Sequence, residues 1–120
     1  MVPIEDREYK NWVCSPRILL RNLVIAGEIK GEILEKRLGT NRRVNLPGST
    51  VSVGEMREVL EKFGGRKASD LVKEERDEAQ EDILRSWPSV LDTVTAGELG
   101  FVKDDGFEQA VRDYVEGLKG

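Results

Sequence analysis

The sequence predicts an α+β domain that is mostly helical, with two to four short strands. Apolar residues recur at helical spacing behind clear start signals. One such run is Val53, Met56, Val59, Leu60 and Phe63; another is Phe107, Ala110, Val111, Tyr114, Val115 and Leu118. Strand signals are few, the clearest being Arg43-Val44-Asn45-Leu46 ahead of Pro47-Gly48. The 120 residues, 38% hydrophobic and 35% charged, suit a single domain over residues 1–120 with one modest core.

The elements follow in order. The first fourteen residues read as an extended lead-in. Ser15-Pro16 starts a helix, because Ser15 can accept from first-turn amides and Pro16 gives up no hydrogen bond at the first helical position. That helix is expected over 16–26, with Gly27 as its stop. Its large apolar residues (Ile18, Leu19, Leu20, Leu23, Val24 and Ile25) exceed what one buried face needs, so burial on two sides is expected. A charged helix over 30–38 ends at Gly39, and a strand over 43–46 closes at the Pro47-Gly48 turn. Ser52 and Glu55 form a capping box, and Gly64-Gly65 is expected to stop the helix behind it. Residues 69–76 read equally as strand or helical turn. Asp77 caps a helix over 78–86, and Pro88 ends it. Leu91 and Val94 are expected to anchor the core, Thr95 to cap a short turn to Leu99, and Phe107 to open the last helix.

Composition removes several kinds of chemistry. The net charge of −4 offers no basic footprint for nucleic acid. Arg21 and Asn22 interrupt the longest apolar runs, so no membrane span is expected, and Glu5 to Glu8 sit where a secretory signal would be apolar. Histidine is absent, which excludes a Ser-His-Asp or Cys-His device and the commonest metal ligand. Cys14 is the single cysteine, so there is no intrachain disulfide or Cys-rich metal site, and a reducing, cytoplasmic setting is expected.

Five blocks in order carry a family resemblance. They are Trp12-Val13-Cys14-Ser15-Pro16-Arg17, Asn45-Leu46-Pro47-Gly48 with Val51 to Met56, Arg76-Asp77 with Ile83 and Trp87-Pro88, then Asp92, then Leu99-Gly100-Phe101 with Phe107, Val111, Arg112 and Tyr114. Together they resemble the C-terminal part of the extended short-chain dehydrogenases. Within the NAD-dependent epimerase/dehydratase group they are most like the D-erythronate dehydrogenase-like enzymes. The resemblance implies a substrate-side domain and a nucleotide-binding, catalytic part about twice as long in front of it. That part has no counterpart here. Gly97 and Gly100 begin a glycine-rich spacing that Lys103 breaks, and neither Tyr9 nor Tyr114 is followed four residues on by lysine. No cofactor and no metal are therefore expected on this chain. Asn11 and Val13 stand where the family tends to have histidines beside the Trp.

The same resemblance places the Trp12-to-Arg17 block at an active-site cleft. Arg17 is then the candidate catalytic cation, suited to a carboxylate or phosphate. The alternative is a first-turn arginine held by Glu5 or Asp6. Trp12 and Asn11 are candidate substrate contacts, with Trp12 alternatively a core residue. Cys14 borders the site ahead of a helix N-terminus, where the dipole lowers a thiol pKa, or is a small buried hydrophobe. Asp92 either faces a polar pocket or caps a turn. Trp87 and Tyr114 read as packing residues, and the acidic pairs as solvated faces. The expected function is a cofactor-independent isomerisation, cyclisation or dehydration of a small carbonyl compound, with a homodimer formed through the first helix. The alternatives are a non-catalytic module that docks on a full-length relative, or a fragment of an NAD-dependent enzyme.

Overall fold

Two four-residue strands, β1 (Lys10–Val13) and β2 (Ser49–Ser52), pair antiparallel with Asn11 opposite Val51 and Trp12 opposite Thr50. The computed structural model describes residues 2–119. The pairing runs on into the following turn, where the amides of Val53 and Gly54 donate to the carbonyls of Tyr9 and Arg7. The lead-in thus carries half of the sheet. The strand expected over 43–46 is not formed. Pro47-Gly48 precedes the strand instead of closing one, because the partner edge at Lys10–Val13 reaches only Ser49–Ser52.

Six helices complete the described residues: α1 (Pro16–Glu28), α2 (Gly31–Leu38), α3 (Val53–Asp70), α4 (Glu78–Arg85), α5 (Val94–Glu98) and α6 (Phe107–Lys119). The Ser52–Glu55 capping box closes the N-terminus of α3 in both directions. Gly65 breaks α3 as its sequence predicts, with φ +72°, but a second helical stretch resumes and takes up part of the ambiguous segment. Gly27 does not stop α1, which continues to Glu28 and is capped at Ile29. Ser15 does not cap α1 with its side chain. Its buried hydroxyl has no partner, and its amide is held by Asp104 at 2.8 Å. The N-cap position of α5 is Thr93, not Thr95, and it makes no side-chain cap bond; the Asp92 Oδ1 one residue earlier accepts the Val94 amide at 3.0 Å. Val94 itself is exposed and anchors no core, since α5 turns it outward while burying Ala96.

The core is divided. Ile4, Tyr9 and Val53 form one cluster, with Val2 and Leu84 against it. Ala96, Leu99 and Phe101 form another beneath Ile25, Ile29, Leu34, Leu38, Val44 and Leu46. The molecule is a slab of 52 × 39 × 17 Å with a radius of gyration of 17.3 Å, against about 13–14 Å for a compact chain of this length. Its accessible surface is 8632 Å², roughly 2,000 Å² above that of a compact monomer of the same mass. A slab one helix and one sheet thick cannot close a single core around itself.

Candidate functional site

Asn11 and Trp12 on β1 meet the segment that follows α4, and a cleft of about 330 Å³ opens between them, lined by Asn11, Trp12, Val13, Trp87, Pro88 and Leu91. Gly48 lets the Trp12 indole lie down here. A methyl carbon at that glycine would sit 2.5 Å from the Val13 carbonyl oxygen and 2.7 Å from Trp12 Nε1, so no other residue fits without displacing the ring. Two side chains hold the opposite wall. Thr50 Oγ1 donates to the Ser89 carbonyl at 2.7 Å, and Asn45 Nδ2 to the Asp92 carbonyl at 3.2 Å.

Trp87 is 59% exposed and forms a wall of this cleft, so it does not plug its helix as packing residues do. Tyr114 is likewise exposed on the far part of the α6 stripe. The signal that Trp87 differs was its place after the last turn of α4, where a large ring next to Pro88 has no helical neighbour to cover it. The cleft is neutral: two indoles, a proline, a leucine, a valine and one amide. It can stack against a flat or CH-rich ligand face and hydrogen-bond it at Asn11, but it holds no acid–base pair.

Arg17 and Cys14 lie in a separate polar cluster with Ser15, Ser49, Asp104, Asp105 and Asp113. Arg17 is held by two acids, but not by Glu5 or Asp6. Its Nε donates to Asp113 at 3.0 Å and its terminal nitrogen to Asp105, and these bonds raise its already high pKa. Gln109 fixes the second Asp113 oxygen at 2.8 Å. Asp104 is the hub of the cluster. Burial pushes its carboxyl up, but the Ser15 and Gly106 amides and the Ser49 hydroxyl outweigh that and hold it below its ordinary value. Burial and the Asp104 charge both push the Cys14 thiol up. Whatever the helix dipole contributes, the net shift is upward, away from the activated thiol that was one of the two readings of Cys14. Asp92 accepts the Val94 amide at the start of α5 and lies next in chain to the cleft, not on its lining.

A larger apolar pocket of about 370 Å³ lies between the start of the chain, α3 and α6. Asn11 lines both this pocket and the aromatic cleft, and the other polar neighbours are committed. The Tyr9 hydroxyl donates to the Leu84 carbonyl, and Arg57 is bonded to Glu74 at 2.7 Å and to Ser69 at 3.2 Å. Among the described residues no three His, Cys, Asp or Glu side chains converge as metal ligands, and no helix is long and apolar enough to cross a membrane.

A thin mixed slab of this kind is matched by one part of larger dehydrogenase and epimerase chains. The chain is related to the NAD-dependent epimerase/dehydratase group of extended short-chain dehydrogenases, and fits its C-terminal portion. It is 38% identical over 105 residues to D-erythronate dehydrogenase of Cupriavidus necator, and 30% identical over 114 residues to that of Haemophilus influenzae. These alignments cover 88% and 95% of this chain but 31% and 35% of the relatives, so the chain spans about a third of their length. A nucleoside-diphosphate-sugar epimerase from Agrobacterium tumefaciens superposes with a TM-score of 0.81 at 28% identity, over 97% of this chain and 33% of its own. No family profile matches the chain.

At the strand-to-helix junction from β2 to α3 the Ser52 hydroxyl accepts the Glu55 amide and the Glu55 carboxylate the Ser52 amide, while the Val53 and Gly54 amides go to the Tyr9 and Arg7 carbonyls, so this junction offers no free amides to a pyrophosphate.

Proposed function

We propose that the chain is the substrate-side unit of an NAD-dependent dehydrogenase or epimerase, and works docked on a nucleotide-binding unit of that family. The observation that carries this is the second apolar face of α1. Its inner stripe, Ile18, Asn22, Ile25 and Ile29, faces the protein, while Leu20, Leu23 and Val24 are left 64%, 53% and 61% exposed. Bare leucines in a row on one helix mark an interface, and the surplus surface of roughly 2,000 Å² is of the size obligate partners bury. The relatives supply the rest of the argument: two thirds of their length lies outside this match.

In this reading the Trp12–Trp87 cleft contacts a small hydroxy acid or sugar, as the names of the relatives suggest, with Asn11 as its polar contact. Arg17 braces the loop at Asp105 against α6, and chemistry comes from the docked unit. A rearrangement by the chain alone has less support, because the cation it would rest on is already neutralised by Asp105 and Asp113. A reducing, cytoplasmic setting goes with this reading, Cys14 being the lone thiol.

Co-expression with the part of the Cupriavidus necator D-erythronate dehydrogenase that lies outside the match, about two thirds of it, tests it. A one-to-one complex by light scattering is expected, lost when Leu20 and Leu23 are both changed to Glu. A two-fold homodimer through the same stripe, with no mixed complex, would replace the reading by the self-association that the doubly apolar helix also allows.

A further inference from the structure

A separate cavity of about 300 Å³ opens where α1 and α2 lean over the Ala96–Leu99–Phe101 cluster. Its walls are apolar throughout, chiefly Ile29, Leu34, Leu38, Leu46 and Phe101. The single charged side chain among its lining is that of Arg42, which is exposed. We propose that this is a binding site for a medium-chain carboxylate, with the hydrocarbon inside and the carboxylate on Arg42.

Three observations support the assignment. The first is volume: an apolar cavity of about 150 Å³ stays dry and holds a six-carbon ring, so about twice that space takes roughly eight to ten carbons. The second is charge. From Lys36 to Gly54 the chain carries Lys36, Arg37, Arg42 and Arg43 and no acid, although the whole chain is net −4. Arg37 is engaged by Glu98 at 3.8 Å, whereas Arg42 makes no ion pair among the described residues. One guanidinium fork matches one carboxylate, bidentate and charge for charge. The third is looseness: α2 buries none of its residues fully, so its leucines can close on a guest. An unfilled cavity in a small core weakens that core, and filling it restores the lost contacts.

Octanoate titrated into the purified chain, folded by far-ultraviolet circular dichroism, tests the site by calorimetry. Saturable one-to-one binding is expected, with 1-octanol about tenfold weaker because it lacks the charge-assisted bond. Arg42→Gln, an exposed change that leaves the helices intact, weakens octanoate about tenfold and leaves octanol unchanged. Leu34→Trp fills the cavity and removes both. Equal octanoate affinity in wild type and Arg42→Gln would overturn the assignment. So would an absence of octanoate binding, including the case in which the chain is held only by phosphatidylglycerol vesicles and the basic segment reads a membrane surface.

Discussion

Asn22 and Val102 exchange two hydrogen bonds: Asn22 Nδ2 donates to the Val102 carbonyl at 2.9 Å, and its Oδ1 accepts the Val102 amide at 2.8 Å. Asn22 is fully buried in the middle of α1, so its amide plays the part of a neighbouring strand for a segment that has none. That pair ties the helix to the loop carrying Phe101 and Asp104. Replacing Asn22 by Ala opens a gap and orphans both Val102 groups, and should cost about 3 kcal/mol. Chemical denaturation with an unchanged m-value would measure it; a loss within 0.5 kcal/mol would show that the pair bears no load.

Gly48 is the second fixed point. Gly48→Ala drives a methyl group against the Val13 carbonyl and the Trp12 indole, and either the strand pair or the ring must move. A loss of about 1–3 kcal/mol is expected for such overpacking. A change in tryptophan emission should accompany it, absent in the Trp12→Phe background.

The Asp104 hub sets an acid dependence. Its folded-state pKa is lowered, so the fold favours the ionised carboxylate. That contribution is present above the unfolded value of about 3.9 and is lost as pH falls through the folded one. Glu74 and Asp113, also held low by arginines, act in the same direction. Denaturation midpoints should therefore fall as the medium is acidified below about pH 4. Asp104→Asn should be less stable at neutral pH and lose less on acidification; an identical slope would remove Asp104 from the account.

The same substitution reports on Cys14. Burial is the larger cause of its raised pKa and remains, but the Asp104 charge is removed, so the thiol should ionise at lower pH. Iodoacetamide labelling should then show its rate profile displaced toward acid in Asp104→Asn. An unmoved profile would mean that burial alone holds the proton.

The two sides of α1 should separate cleanly. Leu20→Glu or Leu23→Glu, on the bare stripe, should change the stability of the isolated chain by no more than about 0.5 kcal/mol. Ile18→Ala, beneath the helix, should cost about 3 kcal/mol. Paired denaturation curves would check the contrast, and equal losses would show that both faces are packed within one chain.

Much of this was legible in the sequence, for local reasons. The Ser52–Glu55 box, the Asp77 cap and the Gly65 break concern residues within a turn of one another, and they form as written. The doubly apolar character of α1 was legible too, but the burial on two sides expected of it is not met among the described residues, where Leu20, Leu23 and Val24 stay exposed. The five blocks placed the family. What only the tertiary structure decided are the relations between distant positions. Lys10–Val13 is a strand because Ser49–Ser52 meets it, and Val44 lies in a cluster, outside the sheet. Asp104, almost ninety residues on, holds the Ser15 amide, while the Ser15 hydroxyl that was expected to cap the first turn makes no bond. Arg17 is neutralised by Asp105 and Asp113, acids from the other end of the chain. Periodicity and capping act over a few residues, and a sequence displays them directly. Which charge meets which, and which indole faces which, depends on how a thin slab folds back on itself, and that is settled only when the chain has closed.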